Sequence, residues 1–568
     1  MTDGKPALDP IGLEILSNAL RSITDESFVA LMKSAYSTNI KERHDHSTAI
    51  TDPTGRLVVQ AEESLPIHIA SMMGLMESLL GKFGGKVREG DIFVANDPHV
   101  AGGTHLPDIN MAMPVFVDGA LIAFVCNIAH HADVGGMAPG SMAGGMSEIY
   151  QEGLRIPVVR LFREGVLQQD LFDLLLLNVR VPEERRGDYY AQIAACQLGR
   201  RRLLEVIESW SAATVTAAFD EIIDRTRARM RAAITEIPDG TYRFEDVMDD
   251  DGLGNTMIPI RLEMTKNGDA IRFDFSRTAK QVAGNINVTM NATIASVCYG
   301  LKALLDPDVP NNEGMLDIPE IIAPKGSLLN AAFPAPVAAR ANTCQRIIDV
   351  VLGALAEAMP GKVVAAGNGA NTTAVFAGTD PRTGRGYVYL ETLGGGMGAR
   401  PTGDGKDGVQ VGITNTSNLP VEAIEMEYPL RVEEYSLVAD SGGAGKFRGG
   451  GGLRRVVSPV GHDCLFNGAG ERFSNRPWGL EGGRPGGSGQ FILEGGAMAP
   501  RRLDDKPSGV TVTPDQKIVV ETPGAGGWGD PKERDGQALA EDRESGKFSD
   551  AFMAENYGDE LLGDPADE

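Results

Sequence analysis

The spacing of apolar residues divides the chain into segments with helical and strand-like patterns. Apolar positions three and four apart, including Leu13, Leu16, Leu20 and Ile23, predict a helix over residues 9–38. The same spacing predicts helices over 66–83 (with Pro66 at its first position), about 186–236, 288–305 and 345–359. Between them, short apolar runs bounded by turn residues predict strands. The pattern therefore favours an α+β protein.

Two turn dipeptides predict β-hairpins. Asn267-Gly268 separates two arms with alternating polarity, and Asp118-Gly119 separates two apolar runs. The second hairpin lies within the stretch 96–136, which holds four of the eight histidines of the chain. One arm would carry THLPD and the other would end in HHAD, so polar groups far apart in sequence would meet at one end of a sheet.

His105, Asp108 and His130 are the candidate metal ligands of this hairpin. His105 and Asp108 are three residues apart, and His130 lies on the opposite arm. Two imidazoles and a carboxylate leave open positions on a divalent ion, as in catalytic rather than structural sites, and suit Zn, Mn or Fe(II). His131 would point to the other side of the strand from His130. The alternative is a set of polar loop ends at a domain surface.

Other polar segments allow two interpretations. Residues 41–46 are six consecutive ionisable residues, which form either a solvated loop or a loop that brings Asp45 or His46 to an active site. The Gly- and Met-rich stretch 137–153 is either a lid or substrate loop or an ordinary surface loop. His68 is expected to have a structural role near the start of its helix.

Composition and charge limit the class of protein. A chain of 568 residues accommodates two or three domains, and a net charge of −25 argues against nucleic acid and anionic membranes as partners. The N-terminus shows no signal-peptide pattern, no apolar run is long enough to span a membrane, and the five scattered cysteines form no CxxC pair. We therefore expect a cytoplasmic protein with reduced thiols.

The expected organisation is multidomain. Residues 1–237 are predicted as a mixed α/β region with the metal site, 238–531 as a β-rich, Gly-rich region with two or more helices, and 532–568 as an acidic tail that is mobile or contacts a partner. The glycine-rich segments match neither the phosphate loop GxxxxGK[ST] nor a dinucleotide fingerprint between a strand and a helix. No ATP site is expected in this chain.

Several motifs together resemble the hydantoinase B/oxoprolinase family. They are NDPHVAGGTHLPD, HHADVGG, NTCQRIIDVVLGAL, GGGMGARPTGDGKDG, NTSNLPVEAIEMEYPLRVEEY, DSGGAGKFRGGGG and TPGAGGWGDP, in this order along nearly the whole chain. The resemblance implies a B subunit that acts in a hetero-oligomer with a hydantoinase A-type ATPase, which carries ATP and Mg. It also implies that His105, Asp108 and His130 bind the metal.

The resemblance further assigns roles around the metal. Asp45 matches a family acidic position and is expected to act as general base or as a further ligand, while His131, Asp133 and Asp97 are expected to orient the ligands. The local sequences GGTHLPD and HHADVGG are similar to those of the hydantoinase/oxoprolinase branch of the family. This favours ATP-dependent hydrolysis of a cyclic amide. The alternatives are ATP-dependent carboxylation of a ketone and a non-catalytic scaffold for the A subunit.

Overall fold

The computed structural model describes residues 9–558 and has the expected multidomain α+β architecture. The α-helices are α1 (Pro10–Ser34), α2 (Thr38–Lys41), α3 (His68–Phe83), α4 (Gln169–Leu177), α5 (Pro182–Trp210), α6 (Ala212–Ile234), α7 (Met290–Leu305), α8 (Glu313–Leu316), α9 (Arg340–Ala358), α10 (Val421–Glu427), α11 (Gly536–Glu544) and α12 (Asp550–Asn556). The first strands are β1 (His46–Thr51), β2 (Leu57–Gln60), β3 (Ile92–Ala95), β4 (Asp108–Val117), β5 (Ala120–His130), β6 (Val159–Arg163) and β7 (Val166–Leu167). The later strands are β8 (Gly240–Asp250), β9 (Thr256–Asn267), β10 (Ala270–Asp274), β11 (Glu320–Ile322), β12 (Thr372–Thr379), β13 (Gly386–Leu393), β14 (Leu430–Leu437), β15 (Leu453–Pro459), β16 (Cys464–Ala469), β17 (Gln490–Gly495), β18 (Arg501–Arg502), β19 (Val510–Val512) and β20 (Gln516–Glu521).

An antiparallel sheet of order β2-β1-β5-β4-β3-β6-β7 forms the N-terminal region. Because side chains alternate between the two faces of a strand, Phe124, Cys126 and Ile128 of β5 pack with α3 on one face. Val125 of β5 packs with α1 and α5 on the other. Helices therefore cover both faces, which explains why β4 and β5 are apolar along most of their length.

The predicted hairpin around Asp118-Gly119 is confirmed. β4 and β5 are joined by these two residues alone, and both have positive φ (50° and 78°), as a type I′ turn requires. The register pairs Ala112 with Cys126 and, at the far end, Asp108 with His130. The second predicted hairpin joins β9 and β10.

The second sheet, of order β11-β10-β9-β8, carries α9 on one face, and α7 packs against α9. Its apolar residues and those of α9 continue into the same core as α3 and the first sheet. This shared core brings the N-terminus of α9 against the end of the β4–β5 hairpin. The proposed boundary at residue 237 stays a prediction.

Two further sheets, of order β13-β12-β16-β19 and β14-β15-β20-β17-β18, share one apolar core. Around it, glycine-rich segments pack backbone against backbone. A Cβ on Gly449 would lie 1.9 Å from the carbonyl oxygen of Ala525, and one on Gly450 would lie 1.9 Å from that of Lys406. Such contacts permit only glycine, so these glycines serve close packing.

Several local predictions need correction. Helix α3 begins at His68, so Pro66 precedes it, with Leu65–Ile67 forming a turn that hydrogen-bonds to its first residues. Of the two interpretations of residues 41–46, the solvated loop is excluded because Arg43, Asp45 and His46 are buried. The stretch 137–153 is irregular but largely buried, with Met142 and Met146 in an apolar cluster.

The C-terminal segment up to residue 558 contains α11 and α12. Leu539, Phe548, Met553 and Tyr557 pack with Ala444 of the glycine-rich region. Arg534 also bridges Asp404 and Asp542. This part of the predicted acidic tail is therefore attached to the preceding region, and its remaining residues lie outside the described range.

Candidate metal centre

The open end of the β4–β5 hairpin brings His105, Asp108 and His130 together. Asp108 is the first residue of β4 and His130 the last of β5, and they are register partners on one face of the sheet. His105 lies in the turn before β4, with its Nε2 2.9 Å from Asp108 Oδ1. One ligand atom from each of the three buried side chains lies within 4.8 Å of the others; no other such group occurs within residues 9–558.

The hydrogen bonds of His105 define its protonation. Its Nδ1 lies 3.0 Å from the carbonyl oxygen of Ala338, which can only accept, so Nδ1 carries the proton. Burial and the nearby Arg340 lower the pKa of His105, so the ring is neutral. Among the described residues, neither His105 Nε2 nor Asp108 Oδ1 has a hydrogen-bond partner. Two buried lone-pair atoms that face each other in this way fit a shared cation.

Asp108 is the anionic member of the group. Its Oδ2 accepts hydrogen bonds from Arg340 Nη2 at 2.7 Å and Thr104 Oγ1 at 3.1 Å. Burial is the largest influence and opposes ionisation, but the positive charge of Arg340 favours it, and the pKa of Asp108 lies well below its ordinary value. The carboxylate is therefore charged, as a metal ligand must be.

His130 is oriented by Asn39 and Arg43, which lie in the segment before β1. Its Nδ1 lies 3.1 Å from Asn39 Nδ2, and Asn39 Oδ1 accepts from Arg43 Nη1 at 3.2 Å. Arg43 is held in turn by hydrogen bonds to Thr392 and Thr416 from the glycine-rich half of the chain. Burial lowers the pKa of His130 well below its usual range, so this ring is also neutral.

Asp45 lies beside the three candidate ligands. Its backbone carbonyl accepts from the His130 amide at 3.0 Å, which fixes the main chain at the site. Its carboxylate oxygens lie 4.0 Å from Arg43 Nη2 and 4.0 Å from His68 Nε2. Burial raises the pKa of Asp45 to about 6, against the lowering effect of Arg43. A carboxylate with this pKa and position can accept a proton near neutral pH.

His68 was expected to have a structural role, but it lines the site. Its Nε2 lies 3.8 Å from Asp108 Oδ2 and its Nδ1 2.8 Å from Ser47 Oγ. Because Ser47 Oγ already accepts from the Leu65 amide, its hydroxyl is free to donate to Nδ1, which leaves Nε2–H facing the two carboxylates. No local pattern in the sequence signals this placement.

The other candidate residues of the 96–136 stretch do not contact the three ligands. His131 points to the opposite face, as predicted, where it meets Gln192 at 3.0 Å. Asp133 binds Arg180 and nearby backbone amides, and Asp97 binds Arg155 and its own turn. Asp97 and Asp133 therefore stabilise loops rather than orient the ligands.

A small cavity of about 20 Å³ lies at the centre of the site. This volume holds about one water-sized particle. It is lined by Asp45, Leu65, Ile67, His68, His105, Asp108, His130, Met142, Arg340, Ala341, Asn371, Thr392, Thr414 and Thr416. An ion fits as the structure stands, whereas a ring-sized organic molecule requires its walls to move.

The fold and motifs define the class of protein: the chain belongs to the hydantoinase B/oxoprolinase family, which it matches over residues 9–531. It is 38% identical to an uncharacterized protein of Methanocaldococcus jannaschii over 95% of this chain and 94% of that protein. It is 32% identical to the caprolactamase subunit beta of Pseudomonas jessenii, over 97% and 96% of the two chains.

Solved structures agree with this assignment. The crystal structure of the ATP-dependent caprolactamase from Pseudomonas jessenii superposes with a TM-score of 0.91 at 30% identity, covering 97% of this chain and 96% of that chain. An acetone carboxylase structure superposes with a TM-score of 0.89 at 21% identity, covering 97% and 80%, which shows a shared fold. No helix within residues 9–558 of this chain is both long and apolar enough to cross a membrane.

Proposed function

We propose that this chain is the metal-bearing B subunit of an ATP-dependent cyclic-amide hydrolase. The observation that carries the proposal is the buried convergence of His105, Asp108 and His130, with two lone-pair atoms 2.9 Å apart. Membership of the family and the likeness to a caprolactamase subunit support a hydantoin, lactam or oxoproline-like substrate.

His105, Asp108 and His130 would hold a divalent ion, Zn, Mn or Fe(II), which supplies Lewis acidity toward the oxygen at the reacting carbon. Arg340 keeps Asp108 ionised and Thr104 fixes its second oxygen. Ala338 holds the His105 tautomer whose Nε2 is free. These contacts orient the side chains before any ligand arrives.

Asp45 is the proposed general base. Its carboxylate would take a proton from the water that attacks the activated ring carbon, and its raised pKa matches that task near neutral pH. His68 lies 4.0 Å from the same carboxylate and would hold it in place. The new C–O bond forms as the proton moves to Asp45. The ring C–N bond then breaks as the proton passes from Asp45 to the leaving nitrogen, which leaves an acyl phosphate on the opened ring. A second water hydrolyses this acyl phosphate and releases the amino acid and phosphate.

The activation step is assigned to a hydantoinase A-type ATPase. An unstrained amide is a poor electrophile, so transfer of the ATP γ-phosphoryl group to the amide oxygen would create the better electrophile that this subunit hydrolyses. The sequence has no phosphate-loop motif, and relatives with a B or beta subunit name support a separate partner that binds ATP and Mg. A separate ATP-binding partner makes the enzyme a hetero-oligomer. ATP use and five buried free thiols suit a location in the cytoplasm.

Reconstitution tests the proposal. The purified chain and its A-type partner are incubated with ATP and a lactam or hydantoin, and separately with a ketone and labelled bicarbonate. The proposal predicts ring opening coupled to ADP formation. Label fixed into product from the ketone, without lactam hydrolysis, would favour carboxylation instead. Full activity of a metal-free His105→Ala complex would favour a scaffold.

A further inference from the structure

We propose that Glu152 is a positioning residue that fixes the segment 335–340, and through it the side chains of His105 and Asp108. This inference rests on the proposed metal site. Glu152 lies at the end of the Gly- and Met-rich stretch and does not touch the three ligands. It acts on the backbone that does.

The carboxyl group of Glu152 accepts hydrogen bonds from two consecutive backbone amides. Its Oε1 accepts from the Val337 amide at 2.6 Å and the Ala338 amide at 2.8 Å, and the whole side chain is buried. Without this oxygen, two buried N–H groups would have no acceptor from this side, which proteins avoid. The carboxylate therefore fixes the conformation of residues 337 and 338.

These residues contact the site directly. The Ala338 carbonyl accepts from His105 Nδ1 at 3.0 Å and so sets the tautomer of that ring. Two residues later Arg340 begins α9 and donates to Asp108 Oδ2 at 2.7 Å. The Arg340 amide also bonds to the Val337 carbonyl, so the clamped residues and the arginine move together. A shift of the segment would displace two of the three ligands.

Glu152 is itself anchored. Its amide donates to the Ile149 carbonyl, and the next turn is tied back when Leu154 donates to Val134. Gly136 packs against its backbone, with positive φ (81°) and no space for a Cβ, which would lie 2.7 Å from the Glu152 carbonyl carbon. Through these contacts Glu152 connects the end of the 96–136 stretch to the N-terminus of α9.

The geometry needs an acceptor at Oε1 and does not need a charge. Among the described residues, Glu152 Oε2 has no hydrogen-bond partner. A Gln side chain has the same length and a carbonyl oxygen that can accept from both amides. An Ala side chain has no acceptor, and an Asp side chain is one methylene shorter. A positioning role therefore predicts that Gln at position 152 keeps the function of Glu152 and that Ala and Asp do not.

The test measures affinity of the full-length chain for Zn(II) alone and Mn(II) alone, by competition with a chromophoric chelator. Loss of an outer partner of a metal ligand weakens binding by about 10–100-fold. We expect that loss for Glu152→Ala and Glu152→Asp, and wild-type affinity for Glu152→Gln. The matched control is Asp249→Ala, which removes another buried carboxylate that accepts from the Phe473 and Ser474 amides away from the site. It should lower the unfolding temperature and leave the metal affinity unchanged.

A second readout is independent of metal. In the metal-free chain labelled with ¹⁵N-histidine, the His105 Nδ1–H signal should persist in Glu152→Gln and be lost or exchange-broadened in Glu152→Asp. If the wild-type chain binds no metal, the proposed metal site fails first. If the wild type binds metal and folded Glu152→Asp or Glu152→Ala binds it equally well with an unchanged His105 signal, the positioning role is wrong.

Discussion

Replacing Asp108 by Asn tests the electrostatics of the site without substrate or partner. The buried carboxylate accepts from Arg340 at 2.7 Å and from Thr104 at 3.1 Å. Asn keeps the shape of the side chain but removes the charge that neutralises the buried Arg340 guanidinium. The variant therefore leaves a buried cation without its counter-charge.

The expected loss is large. Removing one partner of a buried ion pair costs about 3–5 kcal/mol, so Asp108→Asn should lower the free energy of unfolding of the metal-free chain by about that amount. The pKa of Asp108 lies well below its ordinary value of 3.8. The stabilisation from its charge is therefore present above pH 3.8 and lost as the pH falls further. Because Asp108 stays ionised, its own titration adds no pH dependence to the difference between variant and wild type from about pH 5 to 8.

Urea unfolding in the presence of a chelator measures this loss, with Arg340→Met and the double variant beside it. Since the double variant removes both charges, it should be less destabilised than the two single losses added together. Strictly additive losses, or an Asp108→Asn variant as stable as wild type, would refute the coupling of these two groups.

Three further predictions concern neighbouring residues. His105→Ala should abolish stoichiometric metal binding, whereas His131→Ala, on the opposite face of the sheet, should retain it; equal metal contents would contradict the ligand assignment. Asp45→Asn should lower the kcat of the reconstituted enzyme by about 10²–10⁴-fold without changing metal content. The wild-type rate should fall below about pH 6, where Asp45 becomes protonated, and an unchanged kcat in the variant would exclude it as base. Burial raises the pKa of Glu152 from 4.5 to about 8, so its protonated form stabilises the fold fully below pH 4.5 and this stability is lost as the pH rises through 8. Glu152→Gln should therefore lose less stability than wild type between pH 5 and 9 in thermal unfolding, by about 4 kcal/mol; parallel pH curves would contradict the pKa shift.

The centre of the site could be predicted from sequence because it lies in one hairpin. The Asp118-Gly119 turn pairs Val117 with Ala120 and Phe116 with Leu121. A β-bulge after Val115 then shifts the register by one residue, which places Asp108 opposite His130. His131 follows on the other face because side chains alternate along a strand. The hairpin and the alternation depend on local spacing, which is visible in a single sequence, whereas the bulge is seen only in the structure.

The surroundings of the site could not be predicted because they come from distant segments. Arg340 is 232 residues from Asp108, and Arg43 meets Thr392 across 349 residues. Residues 41–46 resembled a solvated loop because their partners lie outside any local window. His68 reaches the site because α3 packs on the same face of the first sheet as Asp108 and His130.

The packing of the glycine-rich region could not be predicted from the sequence either. Its glycines match neither a phosphate loop nor a dinucleotide fingerprint, and the structure shows many of them in close backbone contact, as at Gly449 and Gly450. Such contacts join segments that are far apart in sequence, so composition indicates the need for glycine without indicating the partner strand. The α+β class was predictable from periodicity, whereas the sheet order was not.

An anomalous-scattering map of the full chain, crystallised with Zn(II) or Mn(II) and recorded at the absorption edge of that metal, tests the central claim most directly. The proposed site predicts one peak per chain among His105, Asp108 and His130, with Zn–ligand distances of about 2.0–2.2 Å. A chain that binds one equivalent of metal but shows its anomalous peak elsewhere, with these three side chains unligated, would contradict it.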